Sequence, residues 1–102
     1  SSSIQAVDFV ITDKNKVYLG MLSLRKITVE QGEDHQLSLY GIIDRNAPSV
    51  QSTDSLERAM KLILQYDYDK VAVTESGRLK GYVRSRDIFN TYLQEMKLKN
   101  TN

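Results

Sequence analysis

The stretch GYVRSRDI, residues 81–88, decides how this chain is read, because GMLSLRKI, residues 20–27, repeats its frame. Gly20 and Gly81 stand 61 residues apart, and the pairs Arg25/Arg86 and Ile27/Ile88 keep that offset. A period of this length marks a duplicated supersecondary unit. One eight-residue match can arise by chance, so the flanking residues must decide.

Before the first copy, residues 6–13 (AVDFVITD) form an apolar, β-branched run, and Lys14-Asn15-Lys16 supplies a polar turn. Residues 17–23 then read as a second strand, which makes a hairpin. Before the second copy, Lys70–Thr74, the turn Glu75-Ser76-Gly77-Arg78 and Leu79–Val83 repeat the strand–turn–strand order. Further upstream, Pro48 keeps Ala47–Val50 extended. Residues 54–65 (DSLERAMKLILQ) predict the clearest helix. Asp54 is placed to cap it, Glu57 follows three residues on, and Leu56, Ala59, Met60, Ile63 and Leu64 share one face. A last helix near 85–97 sets Ile88, Tyr92, Leu93 and Met96 on one side. The second unit therefore reads β-α-β-β-α. The first holds only the last part of that order.

Composition bounds the function. The chain has 102 residues, 40% hydrophobic and 26% charged, which fits a single globular domain or two small repeats sharing a core. Fourteen basic against thirteen acidic residues leave a net charge of +1, without the basic excess of a nucleic-acid binder. No apolar run reaches the roughly 20 residues that span a bilayer. There is no cysteine, and with His35 as the single histidine neither a metal cluster nor a nucleophile–base pair is apparent. Ser1-Ser2-Ser3 lacks the charged and apolar regions of a signal peptide, and a cytoplasmic setting is the default.

Residues 46–93 resemble the cystathionine-β-synthase (CBS) domain family along almost a whole unit. The resemblance rests on Ala47-Pro48-Ser49-Val50, Asp54-Ser55-Leu56-Glu57-Arg58-Ala59, Val71-Ala72-Val73 and Gly81 through Asp87. Residues 6–27 match only the second half of the unit. The resemblance implies an α+β fold: a CBS-domain β-α-β-β-α repeat pair with its first unit incomplete, built from mixed three-stranded sheets packed with helices. The expected organisation is residues 4–27 as the C-terminal half of a first repeat, 28–40 as linker, 41–97 as a complete second repeat and 98–102 as a tail.

The resemblance also implies a function. Such repeats pair as a Bateman module, whose clefts take adenine nucleotides such as AMP, ADP and ATP, or S-adenosylmethionine. The module then reports to an attached transporter, channel or enzyme. The tentative ligand residues carried over are Ser49, Val50, Lys70, Ala72, Arg84 and Asp87, with no catalytic and no metal-binding residue. Asp87 stands where the family holds a ribose; a carboxylate at a helix start accepts from vicinal hydroxyls, and a plain helix-start acid is the other reading. Lys26, its counterpart, cannot accept from a diol. Arg84 replaces a family Ser or Thr, and either clamps a phosphate, fills the cleft or pairs with a carboxylate. Lys70 either meets phosphate or joins Asp69 and Arg84 in ion pairing, whereas Asp67 and Asp69 read as solvated. Ala72 replaces a family proline and leaves room for an adenine ring.

The expected protein is thus a dimerising sensor fragment of a larger chain, not an enzyme. Homodimer formation follows also from the apolar sheet surface that a half unit leaves exposed. The alternative is a ligand-free module that couples the subunits of a membrane transporter. No nucleic-acid partner and no direct membrane insertion are expected.

Overall fold

A computed structural model describes residues 7–24 and 38–99. The expectations for Lys26, His35 and most of the linker fall outside those residues.

Strands β1 (Asp8–Thr12) and β2 (Tyr18–Ser23) form the antiparallel hairpin that the first copy predicts. Its turn is built by Asp13, whose carboxylate accepts from the backbone N–H of Asn15 at 2.8 Å and of Val17 at 2.9 Å. An aspartate that binds the chain ahead of itself closes a turn without help from another element.

After the short helix α1 (Leu39–Ile42), strand β3 (Ser49–Gln51) begins the second unit. Helix α2 (Leu56–Tyr66), strands β4 (Lys70–Glu75) and β5 (Arg78–Arg84) and helix α3 (Ser85–Lys99) complete it. The sheet order is β3-β4-β5, with β3 parallel and β5 antiparallel to β4. The β4–β5 turn places Ser76 at φ 53° and Gly77 at φ 81°, the paired left-handed residues of a two-residue hairpin. The mixed sheet of the second unit has three strands; the first sheet has two among the described residues.

The core lies between α2, α3 and one face of the second sheet. Val50, Ala59, Ile63, Val71 and Ile88 are buried there, with Leu56, Met60, Leu62, Val73 and Val83 against them. One expectation for α2 is corrected. Ser55, not Asp54, caps the helix, its hydroxyl accepting from Arg58 N–H at 3.1 Å. Asp54 instead accepts from Gln51 N–H at 2.8 Å, holding the bend that leads into the helix. On the apolar face of α2, Leu64 is surface: it is 75% exposed, because Ala59 and Ile63 set the buried line and the next residue turns about 100° away. Helix α3 likewise buries only Ile88 of its apolar face.

The hairpin joins the second unit by backbone at two places. Tyr18 N–H donates to Gly77 O at 3.0 Å and Leu79 N–H to Lys16 O at 2.8 Å, so the two turns are tied. Met21 and Asp44 also bridge, which makes Asp44 a single rung of a third strand beside β2.

Candidate functional site

The two hairpins match rung for rung. Asp8 faces Ser23 as Lys70 faces Arg84, and Ile11 faces Gly20 as Val73 faces Gly81. A bulge follows the glycine rung in each. The repeat seen in the sequence is therefore a repeat of register. The glycines themselves differ: Gly20 has φ +145° and lies against the Asp44 carbonyl, whereas Gly81 has open space around it.

Directly opposed residues share a sheet face, and alternate residues along a strand return to it. By that rule Ser49, Ala72 and Tyr82 form one rung across three strands, and Lys70 and Arg84 form a rung on the same face. Four of the six residues carried over from the resemblance are thus brought together, on the face opposite the α2 core. Lys70 points from it to the hairpin, its ammonium donating to the Asp8 backbone carbonyl at 2.5 Å. Asp87 enters from the first turn of α3, beside Arg84. Val50 goes the other way: its side chain is core, and it offers this face only backbone.

The charges on this face already have partners. Arg84 Nε and Nη2 donate to the Asp87 carboxylate at 3.0 and 3.3 Å, with both side chains about half exposed. The guanidinium holds the Asp87 carboxyl below the usual carboxylate range, and Asp87 raises Arg84 in return. Lys70 is 13% exposed, pairs with Asp69 at 3.5 Å and lies 5.2 Å from the Tyr82 ring centre. Ion pairing splits in two: Lys70 takes Asp69, and Arg84 takes Asp87. Asp67 is exposed, as expected, and ends α2 in a left-handed conformation. Asp69 is tied, not simply solvated: its N–H donates to Asp8 Oδ2 at 2.9 Å.

Sequence reasoning missed Asp8, Tyr18 and Asp44 at the joint of hairpin and second unit, and the bond that Tyr68 makes there. Asp8 is buried, 3% exposed. Tyr68 donates its hydroxyl to Asp44 Oδ2 at 2.5 Å, and Tyr18 donates to Pro48 O at 3.2 Å. Burial pushes the Tyr18 phenol up to about 12, helped by the Asp44 carboxylate. Burial and the bond to Asp44 also push Tyr68 well above the ordinary phenol range. The one available signal was Asp8 itself, an acid inside an apolar strand run.

The CBS domain profile matches residues 39–94, more than half of the chain. No curated protein matches it. Among solved structures, the soluble part of a magnesium transporter is similar at 27% identity and TM-score 0.73, over 86% of this chain and 34% of that one. The cytosolic domain of the Mg2+ channel MgtE in complex with ATP is similar at 26% and 0.70, over 82% and 33%. CBSX2 in complex with AMP is similar in fold, at 18% and 0.72, over 87% and 72%. This chain belongs to the CBS domain family, and its two β-units make it a CBS-pair regulatory module. It spans about a third of the length of the two transporter structures. Among the described residues no helix is long and apolar enough to cross a membrane, and no group of three or more acids or histidines is placed to hold a metal ion.

Proposed function

We propose that this module belongs to a larger protein, dimerises, and takes an adenine nucleotide between the hairpin and the face formed by Ser49, Lys70, Ala72, Tyr82 and Arg84, with Asp87 at its rim. The observation that carries this reading is the convergence of those residues on one sheet face, from three strands and one helix start. The likeness to an AMP-bound and an ATP-bound structure supports the ligand class. The likeness to transporter domains supports an attached transporter, with the module on its cytoplasmic side. Exposed Tyr82 offers a ring on which a base stacks. Asp87 accepts from the ribose hydroxyls once Arg84 swings onto phosphate, an exchange that a half-exposed ion pair resists only weakly.

Thermal shift with AMP, ADP, ATP and S-adenosylmethionine tests this reading. Stabilisation by an adenine nucleotide, lost in Asp87→Ala, is expected; no shift with any at millimolar ligand sinks it. Arg84→Ala weakens ATP more than adenosine if Arg84 takes phosphate, and leaves the unliganded melting temperature unchanged.

A second reading has its own observation. Ala72 is fully buried, and Lys70 and Arg84 already have carboxylate partners, which describes a closed face in a ligand-free coupling module. Under it no nucleotide shifts the melt, while self-association persists.

Self-association rests on a groove of about 440 Å³ between α2 and α3, with Met60, Leu64, Phe89, Tyr92, Leu93 and Met96 in its lining. A second copy of this face is its proposed occupant, since α2 and α3 each present the apolar side of an amphipathic helix.

A further inference from the structure

Arg84 closes β5 and Asp87 stands in the first turn of α3, so the strand-to-helix corner brings a guanidinium and a carboxylate together. The contact is two-pronged: Nε donates to Asp87 Oδ2 at 3.0 Å and Nη2 to Oδ1 at 3.3 Å. Each carboxylate oxygen thus holds one prong of the guanidinium fork. A vicinal diol is also a two-pronged donor, and it needs the same edge of the carboxylate. In the unliganded chain that edge is taken.

Lys70 is not open to the same exchange. It is 13% exposed, its ammonium donates to the Asp8 backbone carbonyl, and it pairs with Asp69 at 3.5 Å. Drawing it off strips the joint of a donor that nothing replaces. Arg84 is 48% and Asp87 49% exposed, and their pair spans only one corner of the fold. Of the two cations, Arg84 is the one that a ligand can draw off.

We propose, building on the nucleotide reading of this face, that the Arg84–Asp87 pair is a lock opened by an anion: the site admits adenine nucleotides and excludes adenosine and S-adenosylmethionine.

The chemistry is an exchange of partners. A phosphate takes the guanidinium fork as a carboxylate does, so Asp87 is released to the ribose hydroxyls with every charge still paired. Adenosine brings no anion. Its diol frees Asp87 only by leaving Arg84 without a partner, and neutral hydroxyls must then displace a charge-assisted contact. S-adenosylmethionine sets a sulfonium cation on the 5′ carbon, where a nucleotide has its phosphate, and Arg84 meets it as a like charge. Its own carboxylate hangs at the end of a flexible chain beside an ammonium. The pair alone is weak, because exposed ion pairs are screened. Most of the selectivity comes from the phosphate that Arg84 gains.

Titration calorimetry of the whole chain with AMP, adenosine and S-adenosylmethionine tests the lock. AMP is expected to bind at least about tenfold more tightly than either of the others. A smaller ratio, with AMP bound, leaves the nucleotide site standing and overturns the lock; no binding of AMP overturns both. Arg84→Ala should move the two ligands in opposite directions. AMP weakens by about tenfold or more, while adenosine tightens by about two- to fivefold because Asp87 is free. Adenosine binding that is unchanged or weaker in the variant overturns the lock. If the variant does not fold, the ratio in the unsubstituted chain decides alone.

Discussion

Met21 and Asp44 exchange two backbone hydrogen bonds, Met21 N–H to Asp44 O at 3.1 Å and Asp44 N–H to Met21 O at 2.8 Å. This one rung sets the hairpin against the entry of the second unit, and Gly20 is what permits it. A Cβ at Gly20 would collide with the Asp44 carbonyl, and φ +145° is a conformation that L residues avoid.

Gly20→Ala should therefore destabilise the fold by about 1–3 kcal/mol from backbone strain alone, with the collision adding to it. Gly81→Ala meets nothing within 4 Å and should change stability little. Chemical denaturation of the two variants checks this, and equal effects would contradict the asymmetry.

The Tyr68–Asp44 bond joins the α2–β4 connection to the segment before β3. Tyr68→Phe leaves the Asp44 carboxylate without its phenol donor and should cost about 1–3 kcal/mol. Asp44→Asn keeps an acceptor and should cost less. A double-mutant cycle should return a coupling energy clearly above zero; additivity would mean that the bond contributes nothing.

Tyr18 should ionise late. Its phenol is raised to about 12, first by burial and then by Asp44. The stability it supplies is full below the unfolded tyrosine value of about 10 and lost as the pH rises through the folded value. The difference in tyrosinate absorbance between the unsubstituted chain and Tyr18→Phe should stay flat to about pH 11. An earlier rise, while the chain remains folded, would show the phenol to be solvated.

Charge placed in the α2–α3 groove should separate association from folding. Leu93 is 41% and Met96 51% exposed, so Leu93→Asp with Met96→Glu removes little core. The doubly substituted chain is expected to sediment as a monomer with nearly unchanged melting, and the unsubstituted chain as a dimer. A monomeric mass for the unsubstituted chain at high concentration ends that expectation.

The fold was legible where its causes are local. The Gly77 turn, the α2 face and the two hairpins each announce themselves within a dozen residues, through turn chemistry and period. Ser55 and Asp54 are equally good caps by residue type, so only the backbone at Ser55 decides between them. Sequence places Leu64 and Ile63 on one apolar face but cannot divide them into core and surface, because it records hydrophobicity and not which neighbour covers a residue. The joint was illegible for a different reason. Asp8 meets Asp69 across 61 residues and Tyr68 meets Asp44 across 24, separations at which no local pattern survives. Asp87 was readable as a helix-start acid and Arg84 as a residue that pairs with a neighbouring carboxylate, but the sequence points that pairing to Asp69, not to the Asp87 that Arg84 holds.

The bridges between the turns also set an order of assembly. The β4–β5 pairing and the β3-α2-β4 crossover close over short stretches of chain, whereas Tyr18 and Lys16 wait for Gly77 and Leu79. Contacts distant in sequence form late, because loop closure must precede them. On the ribosome the hairpin emerges first, yet the backbone groups that receive it are made tens of residues later. Until then its Asp8 has neither the Asp69 amide nor the Lys70 ammonium, and the docking of the hairpin waits for the unit made after it.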